Sequence, residues 1–211
     1  MSTVAIIVGT GYTGSNIARE AARRGHTVIS WSRHRPAEPI EGVRYENGDA
    51  QDAARIIDGA DVVIAALSPR GDLEGRVLPL YQDYAKAASA AGARFIAIGG
   101  FSSLRPAPGQ PRFAEGDVPE PFRAEALEME AFRAWITTEA PQDLDWLFVS
   151  PAGGYVSSAP GEPTGSYRIG GEVALFTEDG RSELSGADFG LAVMDLVDGG
   201  EHHREHLSVA Y

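Results

Sequence analysis

Residues Val4–Gly14 read VAIIVGTGYTG, and this stretch decides the fold of the chain. The apolar run Val4–Val8 is rich in β-branched residues and is typical of a strand buried on both faces. After the glycines, small and apolar side chains recur at helical spacing at positions 17, 18, 21 and 22, opposite a charged face. A strand therefore enters a glycine turn and a helix leaves it.

The turn contains the pattern G-x-G-x-x-G, formed by Gly9, Gly11 and Gly14. In dinucleotide-binding folds one glycine permits the tight turn, one lets a pyrophosphate approach the backbone, and one lets helix and strand pack closely. Free N–H groups and the positive end of the helix dipole favour such an anion. We expect dinucleotide binding here; the alternative is an ordinary βα turn that uses glycine for its dihedral angles. The predicted contacts are Gly9, Thr10, Gly11, Tyr12, Thr13 and Gly14.

The composition, with 43% hydrophobic and 23% charged residues, is ordinary for a soluble globular protein. A length of 211 residues predicts one domain, residues 1–211. The net charge of −12 argues against nucleic acid or an anionic membrane as the main partner. The absence of cysteine excludes disulfides and cysteine-bound metal. Because we find no leader peptide and no apolar run of about 18 residues, we expect a cytoplasmic protein.

The tip of the second predicted strand, residues 27–31, determines which dinucleotide is preferred. An acid at this tip would bind the ribose 2′-hydroxyl of NAD, whereas an arginine would accommodate the 2′-phosphate of NADP. Here Ser32 and Arg33 follow the strand, so we favour NADP(H) and keep NAD(H) as possible; the alternative is a solvated basic loop. Asp49 and Ala50 follow the third strand, where the carboxylate could meet adenine or could cap the next helix.

Later strands are predicted at residues 61–67, 94–98 and 144–149, and their carboxyl ends face the ligand crevice of an open parallel sheet. The residues at these ends that we expect to border the cofactor are Leu67, Gly99, Gly100 and Pro151. Phe101 should border the nicotinamide, and Ser102 or Ser103 could orient a substrate carbonyl. The alternative for these serines is a turn hydroxyl that bonds its own backbone.

The other predicted elements are helices over 51–58, 73–91, 122–139 and 185–198, and short strands over 164–169, 173–176 and 207–210. Five prolines in residues 105–121 indicate a surface loop or flap. The fold class is therefore α/β, a doubly wound parallel sheet with a small C-terminal extension, residues 151–211, that covers the substrate side. The tripeptide Arg70-Gly71-Asp72 matches an adhesion motif, which we interpret as coincidence.

Two other residue groups have plain structural interpretations. His202, His203 and His206 lie in an acidic stretch without supporting ligands, so we expect a solvated turn and no metal site. Trp31, Trp135 and Trp146 lie in or beside predicted elements and are expected in the core. No G-x-S-x-G nucleophile elbow occurs.

Several stretches together resemble the atypical short-chain dehydrogenases, in particular the bacterial NADH-flavin reductase-like family, and are similar to biliverdin-IXβ reductase/flavin reductase. The matching stretches are the glycine turn, Ser32-Arg33, Gly48-Asp49, Gly99-Gly100, residues 163–171 (PTGSYRIGG) and residues 185–189 (SGADF). The resemblance covers nearly the whole chain, and the Thr-Gly-x-Tyr segment with the later Ser-x-x-Asp is its most specific part.

The resemblance implies a Rossmann-type fold and hydride transfer from a nicotinamide dinucleotide to a flavin or another flat conjugated acceptor, with flavin as a substrate. It implies that Gly11–Gly14 hold the pyrophosphate and that Arg33 meets the 2′-phosphate. It also places Asp49-Ala50 at the adenine and Ala66-Leu67 on the ribose side. Many relatives begin the turn with a glycine where this chain has Val8.

A second departure concerns the Tyr-x-x-x-Lys pair of typical short-chain dehydrogenases. The corresponding region, residues 122–126, reads FRAEA, so a tyrosine acid with its pKa lowered by lysine is missing. Hydride transfer to a conjugated nitrogen heterocycle fits this absence, because the protein then mainly positions donor and acceptor. Phe101, Tyr155 and the proline-rich segment would line the acceptor side.

Two alternatives remain at this stage. One is a regulatory protein that binds NADP(H) without turnover, and the other is a nucleotide-sugar epimerase or dehydratase, which the short C-terminal region disfavours. For the reductase we expect a small planar acceptor as partner and a monomer or homodimer.

Overall fold

The computed structural model describes residues 1–211. The strands are β1 Thr3–Ile7, β2 Thr27–Ser32, β3 Val43–Asn47, β4 Val62–Ala65, β5 Arg94–Ile98, β6 Trp146–Pro151, β7 Arg168–Gly170 and β8 Glu205–Ala210. The α-helices are α1 Tyr12–Arg23, α2 Val77–Ala91, α3 Glu120–Thr138 and α4 Gly186–Gly199. Short 3₁₀ helices cover Ala50–Ile56, Gly71–Leu73, Phe101–Ser103 and Phe113–Glu115.

All eight strands form one sheet in the order β3-β2-β1-β4-β5-β6-β8-β7. Only β7 runs antiparallel to its neighbour. The chain direction across the sheet reverses between β1 and β4, and in such sheets ligands bind in the crevice at this switch point. The predicted α/β, doubly wound parallel architecture is confirmed.

Alternate residues of the strands supply two separate cores. Ala5, Ile7 and Phe95 point to the face covered by α2 and α3, whereas Ile6 and Ile96 point to the face covered by α1 and α4. Both faces of the sheet are buried under helices, which explains why these strands are continuous apolar runs. The helices cover the two faces of the sheet and leave the carboxyl ends of its strands accessible to a ligand.

Helices α1 and α4 cross at very short distance because two glycines of α4 face α1. A β-carbon on Gly190 would lie 2.8 Å from the backbone oxygen of Asn16, and one on Gly186 would lie 2.6 Å from the hydroxyl of Tyr12. The C-terminal region thereby fixes the start of α1, which carries the glycine turn.

Several predicted boundaries were wrong. Residues 51–58 form a 3₁₀ helix over Ala50–Ile56, and the helix expected from residue 73 begins at Val77. The predicted strand 164–169 shrinks to Arg168–Gly170, and 173–176 contributes one bridge, Arg105 to Val173. These short stretches are held by side-chain hydrogen bonds, which strand periodicity does not reveal. None of the four α-helices combines the length and apolar character needed to cross a bilayer.

Candidate dinucleotide and acceptor site

The glycine turn lies between β1 and α1, and each of its glycines has a distinct surrounding. A β-carbon on Gly9 would lie 2.4 Å from Ser30 Oγ, and one on Gly14 would lie 2.2 Å from the carbonyl oxygen of Val8. Gly11, by contrast, would meet only Val8, at 3.3 Å and beyond. Gly9 and Gly14 therefore require glycine for packing, whereas a β-carbon on Gly11 would make a tight contact with Val8 alone.

The first turn of α1 presents free backbone donors. Gly11 is the N-cap residue and supplies no side-chain cap. The N–H groups of Tyr12, Thr13 and Gly14 have no partner in the chain, whereas the N–H of Ser15 already bonds Gly11. Three unpaired N–H donors at a helix N-terminus, next to a glycine that brings no side chain, fit a pyrophosphate.

Tyr155 lies against this turn. Its hydroxyl shares a hydrogen bond of 3.0 Å with Thr13 Oγ1, and its ring is 5.2 Å from that of Tyr12 and 4.9 Å from that of Phe189. Burial raises the pKa of Tyr155, so the phenol stays protonated. The structure therefore places this residue, predicted to line the acceptor side, against the glycine turn.

The tip of β2 presents Arg33 and hides Ser32. The guanidinium of Arg33 is exposed and pairs with Asp72 at 3.1 Å. Ser32 is buried; its hydroxyl donates to the carbonyl of Trp31 at 2.7 Å and accepts the N–H of Thr10 at 3.2 Å. In the structure the Ser32 hydroxyl therefore holds the glycine turn through Thr10, and its contact with the cofactor stays a prediction.

The segment after β3 lies next to this tip. The carboxylate of Asp49 is exposed and makes no cap hydrogen bond, so the capping alternative is wrong. The indole N–H of Trp31 donates to the backbone oxygen of Asp49 at 3.0 Å, and the hydroxyl of Tyr84 donates to the carbonyl of Ala50. The Asp49 carboxylate is thus exposed, while hydrogen bonds from Trp31 and Tyr84 hold the backbone at Asp49 and Ala50 in place.

The ends of β4, β5 and β6 line up along the same edge. The N–H of Ala66 donates to Ile7, and that of Leu67 donates to the buried hydroxyl of Tyr81 at 2.9 Å. A β-carbon on Gly99 would lie 2.2 Å from the ring of Phe148, so this strand end admits only glycine. Gly100 follows it, half-buried, and Pro151 is buried at the end of β6.

The two predicted substrate-orienting serines differ. Ser103 is fully buried and its Oγ has no partner, while its carbonyl accepts from Arg112 Nη1 at 2.6 Å. The prediction that Ser103 contacts a substrate is therefore wrong, because its side chain has no exposed surface. Ser102 is half-buried and remains a candidate.

An aromatic cluster, consisting of Phe101, Phe113 and Phe176, follows the end of β5. The rings of Phe101 and Phe113 stack with centroids 4.8 Å apart, and Phe176 meets Phe101 edge-on at 6.3 Å. Sequence reasoning found Phe101 but missed Phe113, which lies in the proline-rich segment, and Phe176, which was assigned to a strand.

Arg112 anchors the proline-rich segment to the sheet. Its guanidinium is 3% exposed, forms an ion pair with Glu172 and lies 3.4 Å from His206 Nδ1. His206 Nε2 is 2.9 Å from Ser150 Oγ. The interpretation of residues 105–121 as a surface loop is wrong at Arg112, and that of His206 as part of a solvated turn is wrong because His206 lies in β8.

The remaining histidines and tryptophans follow their predicted places more closely. His203 is exposed and His202 is a third exposed, and no three His, Cys, Asp or Glu side chains lie close enough together to hold a metal ion. Trp31 and Trp146 are buried in the core as predicted, and Trp135 is partly buried against it.

The sequence matches the NAD(P)H-binding family over residues 9–198. The chain belongs to this family. It is 28% identical to the uncharacterized protein YwnB from Bacillus subtilis (strain 168), an alignment that covers 98% of this chain and 97% of that protein.

Several solved structures share this fold, and their alignments with this protein cover nearly the whole of both chains. A "putative exported protein" from Burkholderia pseudomallei has 32% identity, a TM-score of 0.85 and 100% coverage of both chains. A "putative NADH-flavin reductase" from Streptococcus pneumoniae TIGR4 has 28% identity and a TM-score of 0.84, covering 100% of this chain and 99% of that one. A "putative epimerase" from Bacteroides thetaiotaomicron has 28% identity and a TM-score of 0.85, covering 99% and 96%. These comparisons are consistent with the resemblance to the atypical, NADH-flavin reductase-like short-chain dehydrogenases, and the family match supports an NAD(P)-dependent oxidoreductase in general terms.

Proposed function

We propose that this protein is an NAD(P)H-dependent reductase that transfers hydride to a flavin or a similar planar conjugated acceptor. The observation that carries the proposal is the glycine turn between β1 and α1, where the helix start leaves the N–H groups of Tyr12, Thr13 and Gly14 unpaired, next to the ends of β2 and β4. The match to the NAD(P)H-binding family supports the donor. The aromatic cluster at the end of β5 and the printed name of the pneumococcal relative support a flat acceptor.

The dinucleotide would lie along the carboxyl edge of the sheet. Gly9–Gly14 would hold the pyrophosphate, Arg33 the 2′-phosphate, and Asp49 with the backbone of Ala50 the adenine. Ala66 and Leu67 would lie on the ribose side, and Gly99, Gly100 and Pro151 would border the cofactor towards the nicotinamide. We propose NADP(H) as the preferred cofactor because the exposed basic run 33–35 is the only charged group directly after β2, and NAD(H) as the weaker one.

The chemistry asks little of the side chains. When bound, a reduced nicotinamide supplies hydride to the acceptor, whose delocalised anion takes its proton from water. The chain would position the two rings and exclude water with the aromatic cluster, while Ser102 would orient the acceptor. Residues Phe122–Ala126, in the first turns of α3, carry neither tyrosine nor lysine, so no residue there acts as a phenolic acid.

Several organisational features belong to the same proposal. Residues 1–211 would act as one dinucleotide-binding domain in which residues 151–211 supply the substrate side. The protein would work in the cytoplasm, as a monomer or homodimer, with a small planar molecule as its partner and flavin as a substrate that leaves after reduction.

The test is a comparison of NADPH and NADH, each with FMN, riboflavin and small quinones as acceptors. Loss of charge-assisted hydrogen bonds predicts that Arg33→Ala weakens NADPH binding about tenfold or more and leaves NADH binding unchanged. Arg19→Ala, on the exposed face of α1, is the matched control. No dinucleotide oxidation with any of these acceptors would overturn the reductase proposal.

A regulatory role without turnover is the second candidate, and the absence of the Tyr-x-x-x-Lys pair favours it. It predicts tight NADP(H) binding in calorimetry together with no turnover across the acceptor panel. An epimerase role has one supporting observation, the printed name of the Bacteroides relative. It predicts interconversion of nucleotide-sugars, and no such activity is expected here.

A further inference from the structure

The segment that follows β4, residues 66–76, extends from the end of β4 to the tip of β2. Its middle reaches that tip, where Asp72 Oδ2 lies 3.1 Å from Arg33 Nη1. On both sides of Asp72 the segment is tied to α3, because Glu125 accepts from Ser68 at 3.2 Å and Glu128 accepts the N–H of Gly75 at 2.8 Å. Since β1 lies between β2 and β4, the segment bridges the strand that carries the glycine turn.

Asp72 is the acidic partner of the basic run that follows β2. Arg33, His34 and Arg35 form an exposed basic run after β2, in a protein whose net charge is −12. Asp72 is the only carboxylate that forms an ion pair with any of the three; Arg35 instead bonds the amide oxygen of Asn47. The guanidinium proposed to bind the cofactor phosphate is thus already occupied by an internal anion.

The contact can also be released easily. Both partners are largely exposed, at 56% and 82% of the side-chain surface, so water screens the pair. Gly71 and Gly75, on either side of Asp72, have φ values of 58° and 72°, and nothing lies within 4 Å of where their β-carbons would be. The exposed side chain of Asp72 can turn away from Arg33 while its neighbours Leu73, which packs against the core, and Gly75, whose N–H bonds Glu128, stay in place.

We propose that Asp72 is a specificity-determining residue that competes with the ribose 2′-phosphate for Arg33. This inference rests on the proposed binding of NADP(H). In the free protein Asp72 neutralises Arg33, and NADP(H) must displace the carboxylate, whereas NAD(H), which has no 2′-phosphate, makes no demand on the pair. Asp72 therefore lowers the affinity for NADP(H) and leaves that for NAD(H) unchanged, so it reduces the preference for NADP(H) that Arg33 creates.

The experiment measures dissociation constants of NADPH and NADH by titration of the full-length protein at low ionic strength. An exposed ion pair contributes up to about 1 kcal/mol, so Asp72→Asn is expected to tighten NADPH binding about two- to fivefold and to leave NADH binding unchanged. Asp58→Asn is the matched control. It removes the same charge from an exposed turn before β4, at the opposite edge of the sheet.

A double variant separates the mechanism from general electrostatics. In an Arg33→Ala background, Asp72→Asn is expected to have no effect on NADPH, because the contested guanidinium is gone. Equal tightening of NADPH and NADH, or tightening that persists without Arg33, overturns the inference while leaving the proposed function intact. Unchanged NADPH binding in Asp72→Asn, with Arg33→Ala still weakening it, does the same. If the wild-type protein binds neither dinucleotide, the proposed function and this inference fall together.

Discussion

Val8 opens the glycine turn with a φ of 65°, the left-handed region that β-branched residues avoid. This conformation turns its carbonyl oxygen toward Gly14, where a β-carbon would approach to 2.2 Å. The resemblance described above places a glycine at this position in many relatives. The chain therefore keeps the backbone geometry of the turn with a residue poorly suited to it.

Replacing Val8 by glycine should remove strain of about 1–3 kcal/mol. That gain offsets the lost side-chain burial and the added freedom of the unfolded chain, so Val8→Gly should change the free energy of unfolding by less than about 1 kcal/mol. Val43→Gly is the matched control, because Val43 is equally half-buried but lies in β3 with ordinary strand geometry, and we expect it to cost at least about 2 kcal/mol. Urea unfolding of both variants measures the difference, and equal losses would contradict strain at Val8.

Single residues also show what the sequence could and could not predict. The packing roles of Gly9 and Gly14 were predictable because the motif lies between an apolar strand and an amphipathic helix. The orientations of Ser32 and Ser103 were not, because whether a hydroxyl at a strand end faces the crevice or the core depends on neighbours distant in sequence. Arg112 was hidden by the prolines around it, which indicate a loop but say nothing of its burial.

Helix α4 is the element around which the C-terminal region is arranged. Ser185 caps its first turn, accepting the N–H of Asp188 at 3.0 Å. The Asp188 carboxylate accepts from the N–H groups of Thr164 and Gly165 at 2.7 and 2.9 Å, and from the hydroxyl of Tyr211. The conspicuous Thr-Gly and Ser-x-x-Asp motifs are thus one structural clamp, which explains why periodicity mispredicted a strand over residues 164–169.

Asp188→Asn should lower the free energy of unfolding at neutral pH by about 2–3 kcal/mol, because an amide nitrogen faces donors that the carboxylate accepted. Burial by itself would raise the pKa of Asp188, but the hydrogen bonds from Tyr211, Thr164, Gly165 and Ser185 hold it below its usual value. A carboxyl whose pKa is lowered by folding stabilises the protein above the unfolded pKa and loses that effect as pH falls through the folded one. The gap between wild type and variant should therefore narrow below about pH 4.

Urea unfolding at pH 7, 4 and 3 tests this expectation. Asp83→Asn, on the exposed surface of α2, is the control and should change stability by no more than about 0.5 kcal/mol. A gap between wild type and Asp188→Asn that stays constant down to pH 3 would rule out the charged carboxylate as the source of the stabilisation.

At the scale of the whole molecule, the parallel sheet was predictable because each inner strand is a short apolar run bounded by turn residues. The place of β8 beside β6, and of the three-residue β7 at the edge, was not predictable, since the pairing of these strands depends partly on polar contacts with residues distant in sequence. Arg112, His206, Ser150 and Glu172 form the polar group that links the proline-rich segment, β6 and β8.

His206 makes the stability of the whole molecule sensitive to mild acid. Burial, reinforced by Arg112, Arg133 and Arg105, lowers the pKa of His206 to about 3, so the folded protein keeps a neutral ring while the unfolded chain binds a proton below about pH 6.5. Glu172 and Glu130 face Arg112 and do not contact the ring. Because only the unfolded state takes up this proton between about pH 6.5 and 3, stability falls as pH falls through that window.

Replacing His206 by glutamine removes the titrating group and keeps an acceptor and a donor within reach of Arg112 and Ser150. From pH 7 to 5 the wild-type protein should lose about 2 kcal/mol more unfolding free energy than His206→Gln, as measured by urea denaturation at each pH. His34→Gln, which removes an exposed histidine without a hydrogen-bond partner, is the matched control for the loss of one histidine. Parallel losses in wild type and His206→Gln would mean that the folded protein protonates His206, and that the buried polar group tolerates a second cation beside Arg112.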